Sequence, residues 1–134
     1  MRSYGGQTCH LMLRRLMCPE CRRLHLELPD ILIPQKHYAS EVIENVVDEV
    51  STEEDESTED YPCGDTMERW KAWLVASLVQ MEGWLRSVGE RLLGLGAELL
   101  STGGSILQKL RERGAGWLGI CMRVIYNSGG HLAP

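Results

Sequence analysis

The sequence predicts a mainly α fold, in which a small N-terminal β-hairpin precedes a cluster of four or five helices. Three patterns carry that expectation. Leu24-His25-Leu26-Glu27-Leu28 alternates strictly between apolar and polar side chains, as a half-buried strand does. Met67, Trp70, Leu74, Leu78, Met81, Leu85, Val88, Leu92, Leu95 and Leu99 recur at steps of three or four, the stripe of an amphipathic helix. Residues 51–60 are all Ser, Thr, Glu or Asp, with nothing to bury, so an acidic linker at 51–62 should interrupt the helices. The expected division is a hairpin segment at 1–37 and a helical domain at 38–134 that contains this linker.

Taken in order, Met1–Thr8 holds Gly5-Gly6 and little that packs, and reads as a loose start. His10–Leu16 reads as a first strand that pairs with Leu24–Leu28 across a cysteine turn. A two-stranded hairpin alone is marginal in water, so it needs a metal or a helix to lean on. Pro29 and Pro34 force Asp30-Ile31-Leu32-Ile33 into an extended crossing segment, whose apolar residues should pin the hairpin to the helices. The spacing of Val42, Ile43, Val46, Val47 and Val50 predicts a helix over about 40–50, with Ser40 as its N-cap. Asp65 followed by Glu68 suits a capping pair, so the long helix should start at Thr66. Gly83 and Gly94 to Gly96 should break or bend it. Helices at about 105–113 and 116–127 complete the set, the last closed by Asn127-Ser128-Gly129-Gly130 as a left-handed cap.

A chain of 134 residues with 43% apolar content suits one domain of modest core. Its net charge of −5 is unevenly spread: +3 over residues 1–37, −11 over 38–65 and +3 over 66–134. That excludes a uniformly basic nucleic-acid binder and leaves local basic faces. Five cysteines, an odd number, with no secretory signal at the start, predict reduced thiols in the cytoplasm. The longest apolar or small run, Trp73–Val79, is far below the ~20 residues of a membrane span, so no membrane partner is expected.

Cys18-Pro19-Glu20-Cys21 places two thiols on one tight turn, where zinc could take both. A second pair is missing, and Cys9, His10 and His25 are the nearby candidates to complete four ligands. The expected cofactor is therefore zinc in a weak or incomplete site, or else the turn is a relic knuckle. Arg14, Arg15, Arg22 and Arg23 flank it in pairs and either form a phosphate-binding patch or serve solubility. Thr66, Arg69 and Lys71 stand where a recognition helix would begin. The other reading is an ordinary amphipathic helix with Trp70 and Trp73 buried or half-buried, and the acidic block in the connector opposes the first. No nucleophile–base pair, phosphate loop or metal-spaced histidine motif supports an enzyme.

Several words of the chain resemble a bacterial family known only as domain of unknown function number 6431. They are Arg14-Arg15-Leu16, Cys18-Pro19-Glu20-Cys21, Leu24-His25, Glu27-Leu28-Pro29-Asp30, Ile33-Pro34, Lys36-His37-Tyr38 and Ser40-Glu41-Val42-Ile43-Glu44. Asp60-Tyr61-Pro62-Cys63, Thr66-Met67, Arg69-Trp70-Lys71 and the closing Ile125-Tyr126-Asn127-Ser128-Gly129-Gly130 extend the likeness from about His10 to the end. The resemblance implies a transposase-associated protein, with a zinc ribbon leading into a helix-turn-helix-like segment. Two positions depart from the family pattern: this chain begins too late to hold the ribbon's first Cys-x-x-Cys, and Gln35 stands where the family tends to have Tyr. The functional expectation is a DNA-binding or transposition-accessory protein of a mobile element. The alternative is a non-enzymatic module whose tryptophan-bearing helices dock a protein partner or a second copy.

Overall fold

The computed structural model describes residues 1–3, 6–55, 62–92 and 104–134. Strands β1 (Arg15–Met17) and β2 (Leu24–Leu26) pair antiparallel, with Arg15 opposite Leu26, Leu16 opposite His25 and Met17 opposite Leu24. Helices α1 (Ser40–Val47), α2 (Gly64–Leu92), α3 (Ile106–Glu112) and α4 (Trp117–Asn127) follow. The architecture is mainly α with an N-terminal hairpin, as the sequence predicts. No helix among the described residues is long and apolar enough to cross a membrane.

The ladder begins at Arg15, later than the predicted strand from His10. Leu11 is 39% exposed and Met12 is fully exposed, so the residues before Arg14 have no surface to bury and gain nothing from extending the pairing. What holds the hairpin is a side chain. Asn127 accepts the Leu28 N–H through Oδ1 at 2.8 Å and donates Nδ2 to the Leu28 carbonyl at 3.0 Å, standing in for a neighbouring strand at the end of α4. Leu28 and Ile33 are buried in the same core as the helices, so the crossing segment does pin hairpin to helices. It is not extended as expected: the Leu32 N–H closes a turn on the Pro29 carbonyl at 3.2 Å and the Lys36 N–H another on the Ile33 carbonyl at 3.1 Å, which leaves Ile31 exposed.

Three local expectations are corrected at the first helix and the start. Ala39, not Ser40, is the N-cap of α1; the Ser40 hydroxyl instead donates to the Asp30 carbonyl at 2.6 Å, tying the crossing segment to the helix. The helix ends at Val47, short of 50, because Glu49 takes a left-handed backbone (φ 59°) that no helix continues. The first residues are not loose: Arg2 donates its N–H to the His37 carbonyl at 2.6 Å and accepts from the Ala39 N–H at 2.8 Å.

Helix α2 starts at Gly64, before the predicted Thr66, because the Cys63 carbonyl already accepts the N–H of Met67 at 3.1 Å. It runs through Gly83 without a break. Met81 and Leu85, 0% and 6% exposed, anchor the turns on either side, and their burial outweighs the ~1 kcal/mol that a helical glycine costs. Met67, Trp70, Leu74 and Val88 are buried along the same stripe, and α1, α2 and α4 each pack against the other two. The glycines at 94 and 96 and half of the acidic linker, residues 56–61, lie outside the described residues.

The short helices are capped from a distance. The Ser105 hydroxyl accepts the Gln108 N–H, and the Glu82 carboxylate, on α2, accepts from the Ser105 hydroxyl and from the Ile106 and Leu107 N–H groups at 2.8 to 3.0 Å. The Glu44 carboxylate, on α1, does the same for α4, whose N-cap Gly116 needs a left-handed backbone (φ 92°) that a side chain would strain. At the other end of α4 the predicted cap is present. The Gly130 N–H reaches the Ile125 carbonyl and the Gly129 N–H the Tyr126 carbonyl, with Gly129 at φ 92°.

Candidate functional site

The cysteine turn is built by its backbone. The Cys18 N–H donates to the Arg23 carbonyl at 2.9 Å and the Arg22 N–H to the Cys18 carbonyl at 3.0 Å, with Arg22 in the left-handed region (φ 60°) to close the loop. The N–H groups of Cys21 and Glu20, together with the Cys21 thiol, converge on the Cys18 sulfur and hold its thiol below the ordinary cysteine range. Cys18 is therefore the sulfur prepared to bear charge, with Cys21 as its neighbour.

The remaining ligand candidates do not join them. Cys9 and His10 are exposed on the segment before β1, and His25 pairs opposite Leu16 on the ladder. His25 and Cys18 do line one cleft, of about 660 Å³, whose far wall includes Arg91 and Tyr126. Among the described residues no three of His, Cys, Asp or Glu come together to hold a metal ion. Two thiols on one knuckle supply half of a tetrahedral zinc shell, and the residues present do not complete it.

The other cysteines serve differently. Cys121 sits in the core, where burial, with the Glu82 charge behind it, pushes its thiol up to about 12 and leaves it unreactive. Cys63 is exposed just before α2, 3.3 Å from the Thr66 hydroxyl; that hydroxyl and the Thr66 N–H hold its thiol below the usual range.

The four hairpin arginines are all exposed and separate into two kinds. Arg14 pairs with Glu27 across the hairpin at 3.4 Å. Arg15, Arg22 and Arg23 make no ion pair with any described residue, so their charges face solvent from two ends of the same small ladder.

At the start of α2 the cations are less free than their spacing suggests. Arg69 folds back on the first turn, donating to the Thr66 hydroxyl at 3.0 Å and the Asp65 carbonyl at 3.3 Å, and Lys71 pairs with Glu68 at 3.2 Å. Trp70, between them, turns into the core at 5% exposure and meets Tyr38 edge-on with ring centres 5.0 Å apart. Residues 48–63 separate α1 from α2, a connector much longer than the turn of a helix-turn-helix.

One cation gives little sign of itself in the sequence. Lys36, two residues past Pro34, lies over the Trp73 ring with its ammonium 4.8 Å from the ring centre. Burial, and then the Arg69 charge, hold that ammonium below the ordinary lysine range, so the fold brings two cations from distant parts of the chain together at the N-terminal end of α2. The left-handed backbone of Gln35 (φ 63°) turns the chain there. The only hint in the sequence is a lone lysine after a proline.

Residues 1–70 match the family model described as Domain of unknown function (DUF6431). The match takes in the start of the chain, the cysteine turn, α1 and the first turns of α2, and stops short of the closing words at 125–130. No curated protein and no solved structure matches the chain.

Proposed function

The chain belongs to the family described as Domain of unknown function (DUF6431), and on that premise we propose that it is a small DNA-binding protein, an accessory to the transposition of a mobile element. The observation that carries the reading is the set of three exposed, unpaired arginines, Arg15, Arg22 and Arg23, on a hairpin that projects from an otherwise acidic chain. A protein with a net charge of −5 approaches a phosphate backbone only by a local basic face, and the hairpin is that face. Lys36, over the Trp73 ring with the Arg69 charge close by, offers a second place for a phosphate. Thr66, Arg69 and Lys71 have a smaller part in this reading, since all three already hold intrahelical partners.

Salt-titrated DNA binding tests it. Replacing Arg15, Arg22 and Arg23 by alanine should weaken binding and flatten the slope of log affinity against log salt by about 0.9 for each phosphate no longer neutralised. The Arg69 and Lys71 double alanine variant should flatten it less. Trp70→Ala should instead lower stability by roughly 3–5 kcal/mol, as truncation of a buried aromatic does. Wild-type protein that binds no DNA even at low salt would reject the reading.

A further inference from the structure

Cys18 and Cys21 share one turn whose backbone is closed twice. The Cys18 N–H meets the Arg23 carbonyl at 2.9 Å beside the last ladder pair, Met17 and Leu24, and the Arg22 N–H reaches back to the Cys18 carbonyl at 3.0 Å. Pro19 follows Cys18 directly, where its fixed φ suits the first corner of a tight turn. Residues three apart across such a turn have Cα atoms within about 7 Å, and a disulfide spans about 4.4–6.8 Å, so the pair can be bridged with little backbone movement. The side chains already meet, since the Cys21 thiol lies within hydrogen-bonding reach of the Cys18 sulfur. Both can be reached from solvent. Cys21 is exposed, and Cys18, half-buried, lines the cleft of about 660 Å³, a volume in the range of small-molecule sites. The other three cysteines stand on other elements: Cys121 buried in α4, Cys63 before α2 against Thr66, and Cys9 on the segment before β1.

We propose that Cys18 and Cys21 form a reversible dithiol and disulfide couple, which exchanges with low-molecular-weight disulfides arriving from solvent. The thiolate of one cysteine attacks a sulfur of the small disulfide. A bond forms between the two sulfurs, the bond within the small disulfide breaks, and the first small thiolate leaves and takes up a proton. The second cysteine, as thiolate, then attacks the protein sulfur of that mixed disulfide. The bond between Cys18 and Cys21 forms, and the second small thiolate leaves and is protonated in turn. The two cysteines lose two electrons and two protons, and one small disulfide gains them as two thiols. The second step should be fast, because the turn already holds the resolving sulfur beside the first. The bond would compete with zinc for the same two sulfurs. It closes at the opposite end of the hairpin from Leu28, which Asn127 fastens to α4, so the helices should not register it. No arginine takes part, so the couple stands independently of DNA binding.

Glutathione buffers test this on the full chain, from wholly reduced to wholly oxidised, with an acid quench, alkylation of the remaining thiols and tryptic mapping. Trypsin releases Leu16–Arg22 as one peptide that holds Cys18 and Cys21 and no other cysteine. That peptide should pass from two alkylated thiols to none, lighter by two hydrogens than its free dithiol form. No glutathione adduct should accumulate on it, and the helical circular dichroism should stay unchanged. Cys18→Ser and Cys21→Ser, both at the turn and outside the helical core, should each stop at a single adduct on this peptide. In denaturant the wild-type chain should need a buffer about tenfold more oxidising to reach half conversion, because the turn no longer holds the sulfurs together. A peptide that keeps both thiols in oxidised glutathione, two adducts in place of the internal bond, or a bond from this peptide to another cysteine would overturn the proposal. So would closure that comes only with loss of the helical signal, or half conversion at the same buffer with and without denaturant.

Discussion

The carboxylate of Glu44 accepts the backbone N–H of Leu118 at 2.8 Å, although 74 positions separate the two residues. Its other oxygen accepts the Gly116 N–H at 2.6 Å, so a side chain of α1 supplies the cap that Gly116 itself cannot. Glu44 is 3% exposed, and a buried carboxylate persists only when donors of this kind surround it. Glu44→Ala would orphan the buried Leu118 N–H and the part-buried Gly116 N–H at a helix start. It should lower the stability of the chain by about 2–4 kcal/mol, the range of charge-assisted hydrogen bonds and lost caps together, read from denaturant midpoints with an unchanged m-value. A loss under ~1 kcal/mol would mean that water replaces the carboxylate at no cost.

Glu82 makes the corresponding link between α2 and α3, and it carries a pH dependence. Burial pushes its carboxyl up, but the N–H groups of Leu107 and Ile106, the Ser105 hydroxyl and the Arg86 charge together reverse that and hold it below the usual glutamate range. A folded-state value depressed below the unfolded one contributes stability that is fully present above the unfolded value, ~4.3, and is lost as pH falls through the folded one. The difference in melting temperature between wild type and Glu82→Gln should therefore be largest near neutral pH and shrink below about pH 4. A difference that stays constant over that range would assign the link to shape and not to charge.

These two carboxylates mark the boundary of what the sequence discloses. The stripe from Met67 to Val88, the alternation at 24–28 and the glycine cap at 129–130 are local periodicities, and each names its own element. Glu44 and Glu82 carry no local mark of their role, because nothing in the neighbouring sequence distinguishes a carboxylate that caps a distant helix from one that faces water. The same blindness explains Ser40, which satisfies the rule for a cap and is diverted by the Asp30 carbonyl 10 positions back. Gly83 reads as a helix breaker, yet tertiary burial on both sides overrides its propensity. At the candidate site the hairpin arginines were legible because exposure needs no partner. Lys36 was not, since its meeting with Arg69 and Trp73 depends on how the crossing segment lies against α2.

Gly119 shows how closely that crossing segment is seated. A Cβ at this position would lie 1.9 Å from the Asp30 carbonyl oxygen and 3.0 Å from the Ser40 hydroxyl, both fixed by their mutual hydrogen bond. Gly119→Ala must push residues 29–34 off α4. The expected cost is about 1–3 kcal/mol of overpacking, more if the Ser40 to Asp30 bond breaks. Hydrogen exchange should show the Ser40 amide, which donates to the Ile31 carbonyl at 3.0 Å, losing protection ahead of the helix cores. Unchanged protection there would mean that α4 yields and the crossing segment does not.

The metal question turns on the same hairpin. Cys18 and Cys21 offer zinc two thiols, one of them already favoured as thiolate by the N–H groups of Cys21 and Glu20, and a bound ion would also constrain a ladder of only three pairs. The remaining two coordination positions would fall to water or to side chains that the fold leaves apart, Cys9 and His25 among them. An ion held by half its usual shell exchanges readily, so protein purified without chelator should carry well under one zinc per chain by elemental analysis, and what it carries should be lost in Cys18→Ser. Removing it should leave the helical circular dichroism unchanged, because Leu28 is fastened to Asn127 and not to the knuckle. One tightly held zinc per chain, surviving dialysis against chelator and lost when Cys9 or His25 is replaced, would show that the segment before β1 folds over to complete the site.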